Sequence, residues 1–150
     1  MHHLSRVRMF NTGFGALARP DRDLYPNDPR DRIDAPNERT NPRLNIRVYR
    51  LCFATMQLAY EKAFTHVFEM LDELKTHLAE KGPYLLSERL TGANIRLYAT
   101  PVRFDAAYVG IFKCNLRSFA NYPAFSACLP AVFDLPGVRE TASIHHIKRG

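Results

Sequence analysis

Between Thr55 and Lys81 the chain carries an apolar stripe that only a long helix can bury. Ala63, Val67, Leu71, Leu74 and Leu78 recur at spacings of four, four, three and four, and Tyr60, Phe64 and Phe68 widen the same face. Thr55 is the expected N-cap, and Gly82 followed by Pro83 marks the expected stop. A face this wide belongs deep in a helical packing. At helical spacing, an aromatic stripe reads as core rather than as a cofactor site.

The rest of the chain fits around that helix. In residues 4–17, Leu4, Val7, Phe10 and Phe14 share one helical face. Residues 18–45 are rich in proline, aspartate and asparagine, which reads as an irregular connection. Pro29, Pro36 and Pro42 leave little room there for a long regular helix. A second helix is expected from Thr91, an N-cap whose partner Asn94 stands where a side chain can reach back. Ile95, Tyr98, Val102 and Tyr108 are its expected inward residues. Asn115 to Tyr122 reads as a loop, Pro123 suits the first turn of a third helix, and a last short helical segment runs to Arg149. No stretch alternates as a half-buried strand does, so the expected class is all-α.

Composition narrows the functions. At 150 residues and 46% hydrophobic, with ten phenylalanines and seven tyrosines, the chain can build one real core. No apolar run is long enough to span a bilayer, and the N-terminal residues have no secretory h-region, so a cytoplasmic protein without a membrane partner is expected. The three cysteines, Cys52, Cys114 and Cys128, form no metal-like or C-x-x-C spacing and read as small buried hydrophobes. The histidines are too far apart, or point apart, to share a metal.

The formal charge is +6. Arg39, Arg43, Arg47 and Arg50 form a basic stripe if helical, able to contact phosphate. The patterns of nucleic-acid modules are absent, so a solvated face is expected and nucleic acid is not the expected partner.

The strings RMFNT, FATMQLAYEKA, RLTGANIRLYATPVRFDAAYVGIFKC, YPAF, LPGVRET and HHIKRG occur in an order that resembles the C-terminal half of the glutathionyl-hydroquinone reductases, the xi or omega-like glutathione transferases. The resemblance runs from Ser5 to Arg149, and the block from Arg103 to Cys114 is its most specific part. It implies a glutathione transferase C-terminal helical bundle over residues 46–150, a remnant last helix of a thioredoxin-like domain over 1–17, and a linker over 18–45.

It also implies a two-domain enzyme whose N-terminal domain holds a Cys-Pro-Trp-Ala nucleophile and most glutathione contacts, with a homodimer built on the helical domains. In that family a cysteine thiolate attacks the glutathionyl sulfur of a glutathionyl-hydroquinone, and the hydroquinone leaves. A second glutathione then resolves the mixed disulfide to oxidised glutathione. Glutathione is the cosubstrate, and aromatic hydroquinone conjugates are the substrates. Tyr49 and Tyr108 match tyrosines that face the substrate. Arg103 and Asp105 match an R-F-D signature, where Arg103 is a substrate contact or the partner of Asp105 in a structural ion pair. Thr91 and Asn94 are structural.

This chain contains no Cys-Pro-Trp-Ala. The resemblance therefore implies a fragment whose parent is an enzyme and which is expected to be inactive by itself. The alternatives are a non-catalytic helical interaction module and an arginine-stripe anion binder. Pro36, Pro42, Pro101 and Pro130 fall at expected helix-interior positions, where a proline costs ~3 kcal/mol unless the helix kinks or restarts.

Overall fold

The computed structural model of the chain describes Met9 and residues 23–26, 30–86 and 89–149. The expected helix over 4–17 lies outside these residues except at Met9, which is helical. In order, the described elements are α1 (Arg30–Thr40), a π-helical turn (Asn41–Asn45), α2 (Ile46–Cys52), α3 (Gln57–Lys81) and α4 (Gly92–Tyr98). They continue as α5 (Pro101–Arg103), a second π turn (Phe104–Tyr108), α6 (Val109–Ile111), α7 (Pro123–Phe133) and α8 (Ile144–Arg149), with short 3₁₀ turns at Phe119–Asn121 and Arg139–Thr141. No strand occurs among the described residues, and the class is all-α.

Helix α3 is the spine. Ala63, Val67, Leu71, Leu74 and Leu78 are all buried, as their spacing requires, and so are Phe68 and Met70. Helix α2 and α7 pack along it, α1 packs on α4, and α8 packs on the second π turn. The described buried apolar residues form one cluster, with Ile33, Leu44, Val48, Leu97, Phe104 and Phe125 filling the space around the spine.

The ends of α3 are set locally. Gly82 adopts φ 96°, which a side chain would resist, and its N–H closes on the Leu78 carbonyl at 3.0 Å. At the other end Met56, not Thr55, is the N-cap. Its extended backbone (φ −118°, ψ 135°) lets its carbonyl accept the first ladder bond, from the Tyr60 N–H at 3.1 Å. The start of α4 follows the sequence: Thr91 caps it, and Asn94 Oδ1 accepts from the Thr91 N–H and Oγ1, each at 3.2 Å.

The prolines correct the expectation of an irregular connection. From Arg30 onward the stretch read as linker is helical, with Pro36 inside α1 and Pro42 in the first π turn. Proline lacks an N–H and collides with the carbonyl four residues back. A π turn widens the register: the Ile46 N–H reaches Asn41, five residues back, so the chain passes Pro42 without ending its helical path. The Pro36 carbonyl accepts the Thr40 hydroxyl at 2.8 Å. Pro101 and Pro123 each open a short helix, where no N–H is needed, and Pro130 lies inside α7. Of the four residues expected to face inward, Tyr98 and Tyr108 are buried, while Ile95 and Val102 are only half-buried.

Candidate functional site

The two tyrosines singled out in the sequence meet. Tyr49 stands on α2 and Tyr108 on the last residue of the second π turn, 59 positions later, yet their hydroxyl oxygens lie 3.4 Å apart. Their rings meet edge to face at 6.2 Å. Tyr49 is 47% exposed whereas Tyr108 is 4% exposed, so the pair presents one phenol to solvent backed by one in the core.

Phe112, one turn after Tyr108, stacks on the Tyr108 ring at 4.8 Å and 16°, and lies 6.0 Å from Tyr49. Phe104 closes the inner side of Tyr108 edge-on at 6.2 Å. Burial, then the hydrogen bond to Tyr49, pushes the Tyr108 phenol well above the ordinary tyrosine range. Tyr108 therefore stays protonated at neutral pH and keeps a proton to donate.

Two polar clasps hold the elements that carry this pair. Asn45, just before α2, accepts the Thr100 hydroxyl at 2.8 Å and donates from Nδ2 to the Arg96 carbonyl at 3.2 Å. The Asp105 carboxylate accepts the Phe119 N–H at 2.8 Å, fastening the second π turn to the segment before α7.

Arg103 donates to the Ala99 carbonyl at 2.7 Å. Among the described residues no ion pair joins Arg103 to Asp105, and each serves backbone instead. The ion-pair expectation is therefore corrected. The Arg103 charge favours the ionised form of Tyr108, against the larger effect of burial.

The family model for the glutathione S-transferase C-terminal domain matches residues 57–127. The glutathionyl-hydroquinone reductase PcpF of Sphingobium chlorophenolicum is 43% identical over 142 residues, covering 95% of this chain and 45% of PcpF. The glutathione-bound structure of YqjG from Escherichia coli superposes with a TM-score of 0.86 at 40% identity, over 93% of this chain and 45% of that one. The glutathione transferase Xi of Phanerochaete chrysosporium gives a TM-score of 0.86 at 42% identity, over 94% of this chain and 49% of that one. The chain is a C-terminal domain of the xi glutathione transferase family. It spans less than half the length of these relatives.

Within this xi-type domain two of the three thiols are unsuited to nucleophilic work. Burial pushes Cys114 up to about 12 and Cys128 up to about 11, which leaves both as neutral thiols in the core. Cys52, expected to be buried like the others, is exposed at the end of α2. Phe53, one turn beyond Tyr49, and Ile111, next to Phe112 in the chain, are exposed apolar residues at 77% and 59%.

Three of the four stripe arginines, Arg39, Arg43 and Arg47, reach partners on α3, while Arg50 is exposed. Arg39 and Arg43 converge on Glu73 at 2.6 and 2.8 Å, and Arg47 Nη1 lies 3.0 Å from His66 Nδ1. Among the described residues no group of His, Cys, Asp or Glu is placed to hold a metal, and no helix is long and apolar enough to cross a membrane. Sequence reasoning missed Phe112, Tyr60 and Asn45. The four-residue spacing of Tyr108 and Phe112 was a readable signal for the first. Nothing in the sequence brings Asn45 to Thr100.

Proposed function

We propose that this domain forms the aromatic substrate wall of an enzyme that reduces glutathionyl-hydroquinones with glutathione, in the cytoplasm. The observation that carries the reading is the Tyr49–Tyr108 pair. An exposed phenol hydrogen-bonded to a buried, protonated one leaves one O–H free to donate to a quinol oxygen, and Phe112 gives Tyr108 an aromatic backing. The relatives named glutathionyl-hydroquinone reductase, and the YqjG structure that holds glutathione, support both the reaction class and the cosubstrate.

A thiolate of the enzyme bonds to the glutathionyl sulfur, the sulfur–ring bond breaks, and the ring carbon takes a proton as hydroquinone leaves. A glutathione thiolate then displaces the enzyme sulfur to give the disulfide, so sulfur is oxidised while the ring is reduced. The thiolate belongs to a Cys-Pro-Trp-Ala motif that this chain does not contain. Tyr49 and Tyr108 orient the quinol and stabilise charge on its oxygen as it leaves.

The 150-residue chain mixed with glutathione and a glutathionyl-hydroquinone is expected to show only the uncatalysed rate. Turnover above background would sink the assignment of the nucleophile to another domain. The arginine-stripe alternative is disfavoured, since three of its four arginines, Arg39, Arg43 and Arg47, are engaged against α3.

A further inference from the structure

Tyr60 stands in the first turn of α3, on the apolar stripe, where a phenylalanine would serve packing equally well. Its hydroxyl nevertheless reaches across to the segment after Tyr108 and donates to the Lys113 carbonyl at 2.8 Å. Lys113 adopts φ 55°, the left-handed conformation that an L side chain resists.

The reason for that turn lies at Tyr108. Its carbonyl accepts two N–H groups, from Phe112 at 3.2 Å and from Cys114 at 3.0 Å, so the chain folds back over its own helix end. Buried Cys114 anchors the far side. The i, i+4 helical spacing sets the Phe112 ring flat against Tyr108, and the turn at Lys113 ends the helix immediately after it.

We propose that Tyr60 is a positioning residue for the Tyr49–Tyr108 pair, acting through the Lys113 carbonyl to hold Phe112 against the Tyr108 ring. The proposal rests on the reading of that pair as the quinol-binding wall. Tyr60 does not need to touch the substrate. It ties the strained turn to the spine of the fold, so that the Tyr108 ring is fixed between Phe104 and Phe112 with its hydroxyl toward Tyr49. Burial raises the Tyr60 phenol above its ordinary value, so at neutral pH it is a donor.

The test uses methylhydroquinone as the probe, with its dissociation constant and the thermal midpoint measured for the chain and four variants. Tyr60→Phe keeps the ring and its contact with Phe64. It is expected to weaken binding about fivefold, the worth of one hydrogen bond. The double variant Tyr60→Phe/Lys113→Gly relieves the backbone strain and is expected to regain the midpoint but not the affinity. Lys113→Gly by itself keeps the clip and is expected to bind as the parent does. If the double variant regains both, Tyr60 only stabilises the turn and the proposal is overturned. Unchanged affinity in Tyr60→Phe, with Tyr108→Phe clearly weakened, overturns it as well. No binding by the parent chain, or full binding by Tyr108→Phe, instead removes the quinol-wall reading beneath it.

Discussion

Single residues decide how the charge of this domain is used. Glu73 takes both Arg39 and Arg43, and the Arg43 hydrogen bond, followed by the Arg39 bond and the two positive charges, holds its carboxyl below the usual range against the opposing effect of burial. A depressed folded-state pKa stabilises the fold at neutral pH, and the contribution disappears as pH falls through that depressed value. The group is about a third exposed, at 35%, so solvent screening keeps the gain below ~1 kcal/mol. Glu73→Gln is expected to lower stability by that much at neutral pH and by nothing in acid. Urea midpoints compared at the two pH values would check it, and an equal loss at both would show that the charge is irrelevant. The stripe Arg39, Arg43, Arg47, Arg50 was legible in the sequence as a helical face. Its direction was not, because the partners Glu73 and His66 lie 19 to 34 positions away in the chain.

Helix α3 was legible because its signal is periodic and local: five apolar residues on one face, a glycine with positive φ beyond the end. The region around Pro36 and Pro42 was not, because a proline states only that the α register fails. It does not say whether the chain stops or widens into a π turn. That turn delivers Asn45 to Thr100, and so fixes the helix carrying Tyr49 to the segment leading toward Tyr108. Thr100 is buried at 3% exposure, so losing its partner strands a hydroxyl in the core. Asn45→Ala is expected to cost ~1–3 kcal/mol, and Thr100→Val added to it to cost little more, since both ends of the bond are then gone. A double-mutant cycle by thermal unfolding measures this, and additive losses would mean that the clasp contributes nothing of its own.

At the scale of the molecule, the packing has one centre and an uneven surface. The buried cluster runs along α3 and gathers residues from α1, α2, α4, α7 and the second π turn, so no element keeps a separate core. A cavity there is felt by every neighbour at once. Leu71 is fully buried on the spine, and Leu71→Ala is expected to cost ~2–5 kcal/mol. Against a domain stability of ~5–15 kcal/mol, that is a large fraction of what keeps the fold together. The substitution should shift or abolish the whole unfolding transition rather than loosen one helix. Phe53 is the opposite case. It is a larger apolar side chain, but it is 77% exposed, beside the end of α2 and one turn from Tyr49. Little of its area leaves water on folding, so Phe53→Ala is expected to change stability by ~0.5 kcal/mol or less. Denaturant midpoints for the two variants, read by helical circular dichroism and by tyrosine fluorescence, test the contrast. If Phe53→Ala costs as much as Leu71→Ala, the α2 end is covered in solution by apolar contacts that the described residues do not supply. The size of the Phe53→Ala loss then scales with the area covered.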